Sequence, residues 1–121
     1  MYKVIKIENK KIPMASNGGT LREYRNFFKR DMLADMIKLE KLFKNKSTES
    51  IEASEILENI AWTLAHRANN EIKTIEEWLE QFDNPFSLIK AYKDIKVLLD
   101  SSSTTIVKDK NGKKKFKKLK K

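Results

Sequence analysis

Cysteine is absent from the 121-residue chain, which removes disulfides and thiolate metal sites together and fits a reducing compartment. Histidine occurs once, as His66, so histidine-based triads have too few members to form. No apolar run approaches the ~18 residues of a membrane span. Residues 1–13 alternate charged and aliphatic side chains, a strand pattern and not a secretion address. A cytosolic protein with no membrane segment is expected. Glycine is scarce too: of three in the chain, two stand together as Gly18-Gly19. That pair lacks the lysine and hydroxyl of a phosphate loop and the spacing of a dinucleotide fingerprint, so it reads as a loop. Acids are plentiful, but Glu76, Glu77 and Glu80 look like a solvated face, and no acid is expected inside an apolar run that would ensure burial. General acid–base pairs need that burial to separate their pKa values. The expectation is a protein without catalytic residues, cofactor or metal.

What is present is charge and aliphatic bulk. Hydrophobic residues make up 40% and charged residues 36%, enough for a single modest core within a soluble surface. The net charge is +9, but residues 101–121 hold nine lysines against Asp109, which leaves +1 for residues 1–100. A basic balance that resides in a tail says little about the surface of a domain. Two parts are therefore expected: a hairpin-plus-helix domain over residues 1–100 and a disordered lysine-rich tail over 101–121, where Ser101 to Thr105 have linker composition.

The pattern along the domain predicts a mainly α fold of the α+β kind, a short hairpin followed by about four helices packed as a small bundle. Tyr2 to Ile7 reads as a strand, Glu8 to Lys11 as a polar turn, and Ile12-Pro13-Met14 as the return strand, with Pro13 confined to an edge. After the Ser16–Gly19 loop, Thr20-x-x-Glu23 has the form of a capping box. Leu21, Tyr24, Phe28, Met32, Met36, Leu39 and Phe43 then recur at helical steps, predicting one long helix over residues 20–43. A second helix is expected from about Ser50 to Ala68, with Ala53, Ile56, Leu57, Ile60, Ala61, Leu64, Ala65 and Ala68 on one face. Thr74-x-x-Glu77 opens a short helix burying Trp78 and Phe82. Asn84 as cap with Pro85 at the first helical position starts a fourth, running to Leu99.

Few residues suggest a site. His66, near a helix end where positive charge is favoured, is assigned to the surface or to capping. Tyr24, Phe27, Met32 and Met36 sit on a stripe that helical spacing assigns mainly to the core. The apolar positions cover more than one side of this helix, so these four are also the candidates for a partner-binding patch. Lys113, Lys114, Lys115, Lys117 and Lys118 are candidates for weak, unspecific phosphate contacts. A nucleic-acid-binding regulator that uses the tail is the rival function. The acidic second and third helices (Glu49, Glu52, Glu55, Glu58; Glu76, Glu77, Glu80) would repel phosphate and fit poorly as recognition helices.

The order of the blocks adds a resemblance. Residues 10–20 (KKIPMASNGGT) lead into Tyr24-Arg25-Asn26-Phe27-Phe28-Lys29-Arg30-Asp31 and Leu33-Ala34-Asp35-Met36-Ile37-Lys38-Leu39. Downstream, Leu57-Glu58-Asn59-Ile60-Ala61-Trp62-Thr63-Leu64-Ala65 precedes Ile75-Glu76-Glu77-Trp78-Leu79-Glu80-Gln81-Phe82. From about Lys3 to Leu99 the chain resembles tail assembly chaperones of long-tailed, siphovirus-type phages and prophages of Gram-positive bacteria. It departs from them at Lys29, where a glycine would be expected. The resemblance implies a protein of the bacterial host cytoplasm, absent from the mature virion. Such a protein binds the aggregation-prone tape measure protein, keeps it soluble and helps tail tube protein assemble around it, with self-association a further option. Many such proteins also have a frameshift-extended form, and the lysine runs at 113–115 and 117–118 would fit adenine-rich slippery codons. The methionines and phenylalanines of this chain suit adaptable apolar contact with a helical client.

Overall fold

The structure, a computed structural model, describes residues 1–45 and 51–108, the last stretch from 101 by its backbone alone. Two strands open it, β1 (Tyr2–Ile7) and β2 (Lys10–Ala15), paired antiparallel with Ile5 opposite Ile12 and Val4 opposite Pro13. The turn is shorter than the polar segment suggested. Only Glu8 and Asn9 form it, both at positive φ (55° and 68°), the pattern of a type I′ turn that matches the twist of two strands. Lys10 and Lys11 already belong to β2. The period of two sends Ile5, Ile7, Ile12 and Met14 into the core and leaves Tyr2, Val4, Lys6 and Lys11 outside.

Six helices follow among the described residues: α1 (Thr20–Phe28), α2 (Met32–Lys44), α3 (Ile51–Ala68), α4 (Ile75–Leu79), α5 (Ser87–Lys90) and α6 (Tyr92–Lys108). Two of the four expected helices are thus each cut in two. The first cut has a clear cause. Lys29 adopts the left-handed conformation at the end of α1, and the Asp31 carboxylate then accepts from the Leu33 and Ala34 amides to start α2 afresh. The second cut, at Ala91, is slight: its amide bonds back to α5 while its carbonyl accepts from Ile95 in α6.

Two capping expectations change as well. Thr20 and Glu23 form no capping box. Thr20 is already helical and its hydroxyl accepts from the Asn17 amide, while Glu23 turns inward. Asn84 and Pro85 make a turn and not a helix start, since α5 begins at Ser87. At α4 the expected cap is present, with the Thr74 hydroxyl accepting from the Glu77 amide. Trp78 is buried and meets Phe82 edge-on at 5.3 Å, with Phe82 half-buried.

Helix α3 is the centre of the molecule, touched by β2, α1, α2, α4 and α5. Every residue from Ile60 to Ala65 is buried, so the single apolar face expected of it understates its burial. A helix enclosed on all sides is apolar all round. Trp62 and Thr63 join the core for that reason, each with its polar atom paired, Trp62 Nε1–H to the Lys73 carbonyl and the Thr63 hydroxyl to that of Asn59. Helix α6 lies along β1 and is tied to α2 by the stacked Phe43–Tyr92 pair at 3.9 Å. Its backbone continues to Lys108, past the point where the composition turns to that of a linker. The remainder of the expected tail lies outside the described residues.

Candidate partner-binding surface

The corner between α1 and α2 is built around one carboxylate taken out of water. Asp35 is only 4% exposed. It accepts from the Tyr24 hydroxyl at 2.6 Å and takes a two-pronged contact from Arg30, Nε and Nη2 each at 2.7 Å. Burial alone would raise its pKa. The Arg30 guanidinium and the Tyr24 hydroxyl overcome that and hold it below the ordinary aspartate range. Tyr24 is shifted up, by burial first and by Asp35 second. The expectation that no acid is buried is thus overturned, and the signal was in the sequence: Asp35 stands inside Leu33-Ala34-Asp35-Met36-Ile37.

A second buried acid joins α1 to the end of α3. The Nδ1–H of His66 and the Nη1 group of Arg67, the latter at 2.8 Å, both donate to the Glu23 carboxylate, and Arg67 Nη2 donates to Asn17 Oδ1 at 2.7 Å. A side chain at Gly19 would meet the Arg67 guanidinium at 2.7 Å, so this glycine gives the arginine its route to the loop. His66 is therefore neither a cap nor a free surface group. Its ring stacks on Trp62 at 4.8 Å, and Phe27 packs edge-on against both rings, 4.9 Å from Trp62 and 5.9 Å from His66. Glu23 and His66 lie 43 residues apart, and no local spacing connects them.

These networks settle which members of the predicted patch face outward. Tyr24 and Met32 are buried in the core, and Met36 is half-buried against it. They serve packing because the α1–α2 corner turns that side of both helices onto α3. Phe27 stays 58% exposed although it covers Trp62. Leu33 and Ile37, one turn apart on α2, are 52% and 53% exposed and were not among the predicted contacts. On α1 and α2 the exposed large apolar side chains are Leu21, Phe27, Leu33 and Ile37, and the last three flank the corner between the two helices. Lys113, Lys114, Lys115, Lys117 and Lys118 lie outside the described residues.

Charge adds a feature that the total conceals. Residues 1–45 hold eleven basic and five acidic side chains, or +6, and residues 51–100 hold five and ten, or −5. On α1 the exposed Arg22 and Arg25 pair with no carboxylate among the described residues. Among those residues no group of three or more His, Asp or Glu side chains could hold a metal ion, and no helix is long and apolar enough to cross a membrane. Comparison with known proteins returns no match: no family model fits the chain, and no curated protein or solved structure is significantly similar to it.

Proposed function

We propose that this chain is a client-binding protein of the tail assembly chaperone kind, one that holds a long helical tape measure protein in solution while tail tube protein assembles around it. The observation that carries the reading is the exposure of Phe27, Leu33 and Ile37 on the α1–α2 corner. Three large apolar side chains left in water beside a well-formed core suit an amphipathic helix laid across them. The resemblance of the Tyr24–Asp31 and Ile75–Phe82 blocks supplies the identity of the client. On this reading the protein acts in the host cytoplasm and leaves before the virion is complete, and a frameshift-extended form shares the same folded part.

The test is co-expression with the long helix-rich product encoded downstream. The client should appear in the soluble fraction with the native chain and be lost from it with Phe27→Ser, Leu33→Ser and Ile37→Ser combined. Because Phe27 also covers Trp62 and His66, a variant with only Leu33→Ser and Ile37→Ser, with its fold checked by circular dichroism, should show the same loss. No gain in client solubility with the native chain or with a frameshift-extended version would defeat the proposal. A chain that instead binds nucleic acid sequence-selectively after removal of residues 109–121 would support the regulator.

A further inference from the structure

The hairpin has one edge open to pairing and one edge closed. The Met1 amino group donates to the Ser16 carbonyl and the Ser16 amide to the Met1 carbonyl, both at 2.9 Å. That reciprocal pair fixes the parity of the ladder. Lys3–Met14, Ile5–Ile12 and Ile7–Lys10 are hydrogen-bonded pairs, while Tyr2–Ala15, Val4–Pro13 and Lys6–Lys11 are not. The backbone groups of Tyr2, Val4 and Lys6 therefore point away from β2, and no partner within the described chain meets them. On β2 the corresponding edge is interrupted, because Pro13 sits at an outward-directed position and has no N–H to offer.

The same parity puts Lys6 and Lys11 directly opposite each other on the solvent face, at the closer of the two cross-strand spacings. Neither forms an ion pair among the described residues, and Lys3 on the same strand forms none either. Lysines on an edge strand disfavour pairing with another basic strand. The same charges favour a strand that carries acids. Next to Lys6 the edge opens on a groove of about 430 Å³, bordered by Glu8 on the hairpin and by Ser87, Lys90 and Asp94 on α5 and α6. Glu8 forms its ion pair with Lys10, at 3.7 Å, and with neither Lys6 nor Lys11, and the rest of its carboxylate is held by Ser87 and by the Asp83 and Asn84 amides.

The geometry points to β1 as a docking edge for an extended acidic segment of another protein. That segment pairs with the backbone of Tyr2, Val4 and Lys6, sets acids beside Lys3 and Lys6, and sets apolar side chains beside Tyr2 and Val4. The site is separate from the Phe27–Leu33–Ile37 surface and stands whether or not the client there is a tape measure protein.

Amide hydrogen exchange on the full chain tests it, with three probes: a capped peptide of sequence EVVEV, its counterpart KVVKV, and a single-stranded DNA oligonucleotide. The acidic peptide should slow exchange at Tyr2, Val4 and Lys6 and bind at least about tenfold more tightly than the basic one, given two opposite-charge neighbours in place of two like-charge ones. Lys6→Glu, an exposed change that leaves the ladder intact, should abolish that preference. Equal binding of the two peptides, or unchanged exchange at those amides with the acidic one, overturns the proposal. So does protection by DNA alone, which would make the edge a phosphate site. Concentration-dependent protection without any probe overturns it too, since the occupant would then be a second copy.

Discussion

At the scale of single residues, Glu8, Asn9 and Lys29 stand in left-handed backbone, and Lys29 and Glu8 do so for different reasons. Lys29 has φ 56° and ψ 38° at the end of α1, and its ammonium contributes only an exposed bond to the Asn26 carbonyl. Nothing about lysine suits that place, and it is also where the resemblance calls for glycine. Lys29→Gly should therefore stabilise the fold by about 1 kcal/mol, because the Cβ clash of the left-handed region disappears. A higher urea midpoint at unchanged slope is the measurement, and no rise would mean the lysine is not strained. Glu8, at φ 55°, has compensation, since its carboxylate gathers the Ser87 hydroxyl and the amides of Asn84 and Asp83. Those bonds, Ser87 first, lower its pKa to about 2. A depressed carboxylate contributes stability that is fully present above its unfolded value of about 4.3 and is lost as pH falls through the folded value. The stability difference between the native chain and Glu8→Gln should accordingly be flat above pH ~5 and shrink toward pH 2. A difference that persists unchanged to pH 2 would show that the carboxylate's charge is not what the three donors hold.

At the scale of elements, what was legible in the sequence was local. The hairpin, α3, the Thr74 cap and the burial of Trp78 follow from alternation, helical spacing and a single side-chain-to-backbone bond. Thr74→Ala should cost ~1 kcal/mol and Trp78→Ala ~3–5 kcal/mol, both read by chemical denaturation. A Trp78 variant of native stability would mean the indole is not part of the core. The corner between α1 and α2 escaped because apolar spacing continues through it: Phe28, Met32, Met36 and Leu39 keep helical steps while Lys29 ends one helix and Asp31 starts the next. Asp31 is an apt helix cap, but its signal competes with a longer periodic one on both sides. The candidate surface was half legible for the same reason. Splitting the helix rotates Tyr24 and Met32 onto α3 and exposes Leu33 and Ile37. The Glu23–His66–Arg67 network needed the fold itself, since it joins residues from opposite ends of the tertiary contact.

At the scale of the whole molecule, the near-neutral total of residues 1–100 suggests a partner that charge cannot guide, and the distribution corrects this. The sequence carries +6 over residues 1–45 and −5 over residues 51–100, and steering depends on local field and not on net charge. Capture and retention should then respond differently to salt. Between roughly 0.05 and 0.5 M salt, the association rate with a helical client that carries acids toward the exposed Arg22 and Arg25 of α1 should fall several-fold as screening shortens the reach of the charges. The dissociation rate, which the proposed apolar contact at Phe27, Leu33 and Ile37 would set, should change little. Stopped-flow mixing at two salt concentrations separates the two rates, and a dissociation rate that climbs with salt would show that charge holds the complex.

The stack of Trp62 on His66 also makes the protein its own optical reporter. Of the two tryptophans, Trp62 alone lies under the exposed Phe27, with an imidazole 4.8 Å from its indole. Trp78→Phe retains an aromatic ring in the core and leaves Trp62 as the sole indole emitter. A client laid over Phe27, as proposed, would shift that ring and the indole–imidazole stacking beneath it, and indole emission is sensitive to both. Occupancy of the α1–α2 corner thus becomes readable as a change in intensity and wavelength, without a label on either partner.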